Sequence, residues 1–138
     1  MSTSPRVVIL GGGPAGYEAA LVAAQAGANV VVVEREGLGG AAVLTDCVPS
    51  KALIATSAAL AQVDAVSNLG VRAGPGAFKL GDVNRRILDL ARAQSEDVRR
   101  GLERAGVVLE TGEARLTGPR RVAVGSGGAG REIDADKG

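Results

Sequence analysis

Two short runs of β-branched residues flank an alanine-rich stretch near the start of this chain of 138 residues. The first run, residues 7–9, stops at a glycine turn, and the second, residues 30–33, is closed by an acid. The stretch between them is rich in alanine, which has the highest helix propensity, and it ends at Gly27. The pattern therefore predicts a strand, a helix and a second strand, a βαβ unit, over residues 6–34.

A second helix is expected after a glycine-rich loop. Pro49 and Ser50 are typical of a helix start, and small or apolar residues continue from 52 to 63. We therefore predict a loop followed by a helix over residues 37–65. Residues 67–81 hold several glycines and a proline in their second half, which predicts an exposed connection.

A long helix is expected over residues 82–105, with Asp82 as its N-cap and Gly106 as its stop. Apolar residues recur at helical spacing along one face: Ile87, Leu90, Ala91, Val98 and Leu102. The remaining positions are mostly charged or polar. This helix is predicted to form an outer layer, with its charged face in solvent.

Short β segments separated by turn residues follow, and they predict an antiparallel β-meander over residues 107–134. The segments comprise residues 107–111, 114–116, 121–124 and 132–133. The glycine run GSGGAG, residues 125–130, also matches the string GxGxxG. Only eight residues follow it, too few for a helix and a second strand, so we interpret it as a hairpin loop.

The composition limits the classes of function. Apolar residues make up 46% of the chain but aromatic residues only 1%, so the core must be built from alanine, valine, leucine and isoleucine. The net charge is +1, with charges of both signs interspersed, and this gives no electrostatic footprint for nucleic acid. The chain has no histidine, and no metal-ligand spacing occurs in it. No metal site is therefore predicted.

Cys47 is the only cysteine, so no disulfide can form within the chain, and we expect a cytoplasmic protein. The first ten residues lack the pattern of a signal peptide. No uninterrupted apolar run reaches the about 18 residues that a membrane helix needs, so no membrane span is expected.

The glycine turn of the βαβ unit carries a dinucleotide fingerprint, with Gly11 for the tight turn, Gly13 for close approach to a pyrophosphate and Gly16 for close helix packing. The phosphates would lie at a helix N-terminus, where free N–H groups favour negative charge. Glu34 lies 18 residues beyond Gly16, and its carboxylate is expected to accept from both ribose hydroxyls and to repel a 2′-phosphate. The alternative is an alanine-rich helix between two strands, without a ligand.

Cys47 and Lys51 lie around the first turn of the second predicted helix, at its electropositive end. A thiol beside a lysine at such a place is expected to have considerable thiolate character. The alternative is a small buried cysteine that packs as an apolar residue.

The stretch GLGGAAVLTDCVPSK, placed shortly after the fingerprint and Glu34, resembles the pyridine nucleotide-disulfide oxidoreductase family. This flavoprotein family includes dihydrolipoamide dehydrogenase, glutathione reductase and mercuric reductase, and its motif reads approximately GGTCLNxGCxPSK. The matching residues are Gly39, Gly40, Cys47, Pro49, Ser50 and Lys51. The resemblance extends over essentially all 138 residues, because the long third helix and the meander also fit the family's FAD domain.

The resemblance implies an α/β fold, a Rossmann-like FAD-binding domain in which a parallel sheet with helices is joined to a small antiparallel meander. It also implies FAD as the bound cofactor and NAD(P)H as the electron donor of the complete protein. The residues that would bind the pyrophosphate are Gly11, Gly13, Pro14, Ala15 and Gly16. Glu34 and Arg35 would lie at the adenosine end.

The resemblance also assigns the flavin end of the cofactor. Gly40 and Ala41 would line the path to the isoalloxazine ring. Cys47 would lie beside that ring and Lys51 near its N5 atom, as the two catalytic residues. The backbone of Ala114 would contact the adenine.

Ala42 stands where the family has its first active-site cysteine, so Cys47 lacks a partner for a dithiol relay. In this the chain resembles the variant actinobacterial subgroup of NAD(P)H:quinone reductase type, in which a quinone accepts electrons directly from the flavin. We therefore predict the FAD-binding portion of a flavin-dependent NAD(P)H oxidoreductase with a quinone-like acceptor. The alternatives are a fragment of a dihydrolipoamide dehydrogenase and a non-catalytic nucleotide-binding module.

Family members continue after the meander with a strand that completes the FAD site, then with NAD(P)H and dimerisation domains, and they are homodimers. This sequence ends at DADKG, where that strand would begin. We therefore expect an FAD-binding domain that is incomplete at its C-terminal end and has an unpaired sheet edge. Little or no turnover is expected from the chain alone.

Overall fold

The structure is a computed structural model that describes residues 4–72, 74, 79–125 and 130–136. Residues 126–129 of the glycine run and residues 73 and 75–78 of the predicted connection therefore lie outside the described residues. The elements are β1 (Arg6–Leu10), α1 (Pro14–Gln25), β2 (Asn29–Glu34), α2 (Gly40–Leu44), α3 (Cys47–Ala65), a 3₁₀ helix (Val66–Leu69), α4 (Leu80–Arg104), β3 (Val108–Thr111), β4 (Ala114–Gly118), β5 (Arg121–Val124) and β6 (Arg131–Asp134).

The first three strands form a parallel sheet in the order β1-β2-β3. Side chains alternate between its faces, as they must in a strand. Val30 and Val32 of β2 face α1 and α4, where they pack with Ala20 and Leu102 in one buried cluster. The predicted βαβ unit over residues 6–34 is confirmed by the parallel pairing of β1 with β2.

The last three strands form an antiparallel sheet in the order β4-β5-β6. It packs against the other face of the parallel sheet, because Val33 of β2 lies in a second buried cluster with Val122, Val124 and Ile133. The valines of β2 therefore pack on both faces of the parallel sheet, against the helices on one face and the antiparallel sheet on the other, so the strand must be apolar on both sides.

One part of the predicted meander is wrong. Residues 107–111 do not belong to it, because β3 pairs in parallel with β2, with Leu109 opposite Val32. Val107 is buried in the cluster beneath the helices, and α4 provides the crossover that a parallel strand requires. The antiparallel meander is confirmed only for the strands that begin at Ala114.

Two helix starts also differ from the sequence-based prediction. α3 begins at Cys47, two residues before Pro49, so the proline lies in its first turn, where no N–H is needed. α4 begins at Leu80 with Lys79 as N-cap, so Asp82 is a first-turn residue instead of the cap. An acid in the first turn still favours the helix through its dipole.

The outer face of α4 is charged as predicted, and its inner face is only partly covered. Ile87, Ala91 and Leu102 are buried, whereas Leu90 is 42% exposed. The helix ends at Arg104 and the chain turns at Gly106, whose φ of +78° favours glycine, as expected.

Among the described residues, the stretch Gly40–Val63 is long and apolar enough, by length and mean hydropathy of 1.2 alone, to cross a membrane. Asp46 and Lys51 lie within this stretch, so it contains no uninterrupted apolar run of that length, which is why no membrane span was expected from the sequence. The stretch is divided between α2 and α3, and Leu53 and Ile54 on α3 are exposed. Length and composition are weak grounds for a membrane helix, since core helices of other proteins share them.

Candidate functional site

The glycine turn between β1 and α1 is fixed by the backbone. The N–H of Gly11 donates to the carbonyl oxygen of Val33 at 2.8 Å, which fastens the turn to β2. Gly11 has a φ of +96°, a region that side chains other than glycine rarely adopt. Gly13 is the N-cap of α1, and Pro14 is the first helical residue, as predicted.

The two other glycines of the fingerprint have opposite surroundings. A Cβ built on Gly16 would lie closer than 3.0 Å to the carbonyl oxygen of Gly11, so α1 packs directly against the turn. A Cβ built on Gly13 would meet no protein atom within 4 Å. Gly16 is therefore required by the protein's own packing, whereas Gly13 borders open space at a helix N-terminus. Such a space is suited to a phosphate.

The carboxylate of Glu34 accepts several backbone hydrogen bonds. Its Oε2 accepts from the N–H of Gly12 at 2.7 Å, and its Oε1 accepts from the N–H groups of Arg35 and Glu36, each at 2.8 Å. A longer bond of 3.4 Å comes from Gly37. Burial by itself raises the pKa of this carboxyl, but the four N–H donors outweigh it and hold the pKa below its ordinary value of 4.5.

These bonds sharpen the prediction for Glu34. Its Oε1 is occupied by backbone donors, so only Oε2 keeps acceptor capacity toward a ribose hydroxyl.

Gly12 was missed by the sequence analysis although it lies inside the motif GGGPAG. A Cβ on Gly12 would meet Leu38 Cδ2 at 2.5 Å, so a larger residue here would require the buried side chain of Leu38 to move.

A cleft of about 280 Å³ opens at the carboxyl ends of the three parallel strands. Its lining residues are Leu10, Gly11, Val33, Glu34, Arg35, Gly112, Glu113 and Ala114. Four of the residues assigned to FAD, namely Gly11, Glu34, Arg35 and Ala114, are thereby brought together from separate elements. This edge of a parallel sheet is where ligands bind in open α/β folds.

The loop that leads to α2 docks on the glycine turn. The N–H of Gly39 donates to the carbonyl oxygen of Gly12 at 2.7 Å. A Cβ on Gly40, whose φ is +55°, would lie 3.1 Å from the Cα of Gly13. The structure thus brings Gly40 to the turn, and Ala41 follows it as an exposed residue.

Cys47 and Lys51 are both exposed, at the first residue of α3 and four residues later. The alternative in which Cys47 packs as a buried apolar residue is therefore wrong. The catalytic roles of Cys47 and Lys51 stay predictions. No cluster of side chains that could hold a metal occurs in the part of the chain that the structure describes.

Replacing Glu34 with glutamine is expected to lower the free energy of unfolding by about 2 kcal/mol at pH 7, because an amide cannot accept at both ends. The folded-state pKa is lowered, so the carboxylate stabilises the fold above pH 4.5 and this contribution is lost as the pH falls through the folded-state value. Urea denaturation at pH 7 and at several pH values below 4.5 measures both effects.

The matched control for this experiment is Glu103→Gln at the exposed end of α4, which is expected to change stability by less than about 0.5 kcal/mol. An equal loss of stability at pH 7 and in acid would contradict the role given to the Glu34 carboxylate.

The fold and the site define a Rossmann-like dinucleotide-binding domain of the α/β class. The chain belongs to a family within that class, pyridine nucleotide-disulphide oxidoreductase, whose sequence profile matches residues 5–137. The resemblance inferred from the motif around Cys47 is thereby confirmed.

Several relatives are known. An NAD(P)H dehydrogenase (quinone) of Mycobacterium tuberculosis is 43% identical over 116 residues, which cover 80% of this chain and 24% of the relative. A dihydrolipoyl dehydrogenase of Chlorobaculum parvum is 36% identical over 130 residues, 94% of this chain and 28% of the relative. The crystal structure of LpdA from Mycobacterium tuberculosis superposes with a TM-score of 0.84 at 39% identity, over 96% of this chain and 30% of that chain.

This chain therefore spans about a quarter of the length of the curated relatives it matches.

Proposed function

We propose that this chain is the FAD-binding portion of a flavin-dependent NAD(P)H oxidoreductase that passes electrons from a nicotinamide to a quinone-like acceptor. The observation that carries the proposal is the pairing of an open helix N-terminus at Gly13 with the cleft that Glu34, Arg35 and Ala114 line. Membership of the family supports the flavin.

The described residues fit the adenosine diphosphate half of FAD. The space in front of Gly13 is free for the pyrophosphate, and it borders the N-terminus of α1, the end at which helices bind phosphate. Oε2 of Glu34 is available to the ribose, and Ala114 is among the residues that line the same cleft. When bound, FAD supplies the redox chemistry that couples oxidation of a nicotinamide to reduction of an acceptor.

The acceptor class follows from the cysteines. Ala42 lies in α2 and Cys47 begins α3, and the chain has no second thiol with which Cys47 could form a redox-active disulfide. A quinone accepts electrons without a dithiol, and the relative from Mycobacterium tuberculosis is named for such an acceptor. NAD(P)H as donor, a homodimeric complete protein and a cytoplasmic location belong to the same proposal.

A second candidate is a portion of a dihydrolipoamide dehydrogenase. It is favoured by the relative from Chlorobaculum parvum, which carries the name dihydrolipoyl dehydrogenase and matches more of this chain. The alanine at position 42 argues against it, because reduction of a disulfide substrate by this family's chemistry requires a pair of thiols.

The proposal is tested by titrating the purified chain with FAD and following flavin fluorescence. Saturable binding at one FAD per chain is expected, with no NADH-dependent turnover. Absence of saturable FAD binding both by this chain and by the chimera described next would contradict the proposal, and sustained reduction of a quinone by the 138 residues alone would contradict the assignment to the FAD-binding portion.

The acceptor is tested in a chimera in which this chain replaces the matched segment of the NAD(P)H dehydrogenase (quinone) from Mycobacterium tuberculosis. We expect the chimera to reduce a quinone with NADH and to leave lipoamide at background. The matched variant, Ala42→Cys, provides the second thiol and is expected to gain lipoamide reduction. Efficient lipoamide reduction by the unmodified chimera would favour the second candidate.

A further inference from the structure

The guanidinium of Arg35, a residue that lines the cleft, contacts two carboxylates. Its Nε lies 3.3 Å from Oε1 of Glu36, and its Nη1 lies 3.4 Å from Oε1 of Glu113. Glu113 is 78 residues away in sequence, so the second contact joins the end of β2 to the turn between β3 and β4. Neither glutamate is among the residues that the sequence analysis assigned to the cofactor.

The backbone fixes Glu113 relative to the cleft. The N–H of Gly112 donates to the carbonyl oxygen of Glu34 at 3.0 Å, and the N–H of Gly125 donates to that of Glu113 at 3.0 Å. Glu113 therefore stands between β2 and the antiparallel sheet, and its residue lines the cleft beside Glu34, Arg35 and Ala114.

The charges at this end of the cleft are unbalanced. Glu36 and Glu113 contact the guanidinium of Arg35, and the carboxylate of Glu34 accepts from the backbone N–H of the same residue, so three carboxylates lie beside one cation. In dinucleotide sites an arginine near the ribose is what accommodates a 2′-phosphate, since a guanidinium binds phosphate through paired hydrogen bonds. Here the two glutamates already take up two of its nitrogens.

We infer that Glu36 and Glu113 determine the specificity of the cleft for an adenosine with a free 2′-hydroxyl. They hold the guanidinium of Arg35 in carboxylate contacts and so withhold it from a 2′-phosphate. The inference rests on the proposed function, because it requires that adenosine binds in this cleft, and it adds two specificity-determining residues to Glu34.

The experiment compares ADP with ADP that carries a 2′-phosphate, by calorimetric titration of the purified chain. The wild-type chain is expected to prefer ADP. In the double variant E36Q/E113Q, the ratio of the two dissociation constants is expected to move about tenfold toward the 2′-phosphorylated probe, as two exposed charges allow. The 2′-phosphorylated probe carries about two more negative charges than ADP, so the general effect of net charge on the ratio is measured in a separate control.

Two controls make the result specific. The variant E103Q/E132Q changes the net charge equally at exposed positions outside the cleft lining and is expected to leave the ratio unchanged. The triple variant R35Q/E36Q/E113Q is expected to lose the gain, because the gain depends on the freed guanidinium. Circular dichroism of each variant verifies that it is folded.

The outcomes separate this inference from the proposed function. Binding of ADP with an unchanged ratio in E36Q/E113Q, or a gain that survives in the triple variant, overturns the specificity role alone. Failure of the folded wild-type chain to bind either probe overturns the proposed function, and the specificity role with it.

Discussion

Replacing Gly16 with alanine is expected to lower the free energy of unfolding by about 3 kcal/mol, a large part of the stability of a domain of this size. The added Cβ would lie closer than 3.0 Å to the carbonyl oxygen of Gly11, and this atom is backbone that no rotamer change can move. The turn and α1 would have to separate, which would disturb Ala20 where it packs in the core beneath α1. Urea denaturation monitored by circular dichroism measures the loss.

Gly101→Ala in α4 is the matched control. A Cβ at this position would meet no atom within 4 Å, and the residue lies inside a regular helix. Alanine is favoured over glycine there by about 1 kcal/mol, so this variant is expected to be more stable than the wild type. If the two variants changed stability equally, close packing of α1 on the turn would not be the reason for the glycine at position 16.

Replacing Gly13 with alanine is expected to leave the fold intact and to weaken FAD binding at least about 100-fold, the equivalent of two lost charge-assisted hydrogen bonds. Its φ of −67° and ψ of −179° are open to any residue, and its Cβ would meet no protein atom. The new methyl group would instead occupy the space assigned to the pyrophosphate. Flavin fluorescence titration measures the affinity, and thermal denaturation without ligand measures the stability.

The control for Gly13 is Gly81→Ala, in the first turn of α4, where a Cβ likewise meets no atom within 4 Å. This variant is expected to bind FAD as the wild type does. Undiminished FAD affinity in a folded Gly13→Ala variant would place the pyrophosphate elsewhere and would count against the proposed function. The roles of Gly16 and Gly13 can therefore be distinguished, because replacing Gly16 lowers the free energy of unfolding and replacing Gly13 weakens FAD binding.

Much of this molecule follows from local sequence patterns. The β-branched runs around the alanine-rich stretch predict β1, α1 and β2, because strand and helix periodicities are short-range properties of the chain. The glycine spacing predicts the turn for the same reason, and the motif around Cys47 indicates the family that the sequence profile confirms. Identity of the acceptor depends on one position, Ala42, and stays a proposal.

Other features depend on contacts between residues far apart in sequence. The segment that includes β3 has the composition of a meander strand, and only its pairing with β2 and the burial of Val107 assign it to the parallel sheet. Helices α3 and α4 begin two residues earlier than the sequence predicts, because α3 begins at Cys47 and Lys79 is the N-cap of α4. Local signals for helix ends commonly err by that amount.

The sequence by itself determined the βαβ unit, the glycine turn and the family, since each of these is encoded by neighbouring residues. The tertiary structure alone decided that one oxygen of Glu34 is used up by the loop that follows it, and that Glu113 meets Arg35 across the cleft. Those contacts form where strands that are far apart in sequence end at the same edge of the sheet. The periodicity of the sequence does not indicate which side chains come into contact there, because the order and register of the strands determine those contacts.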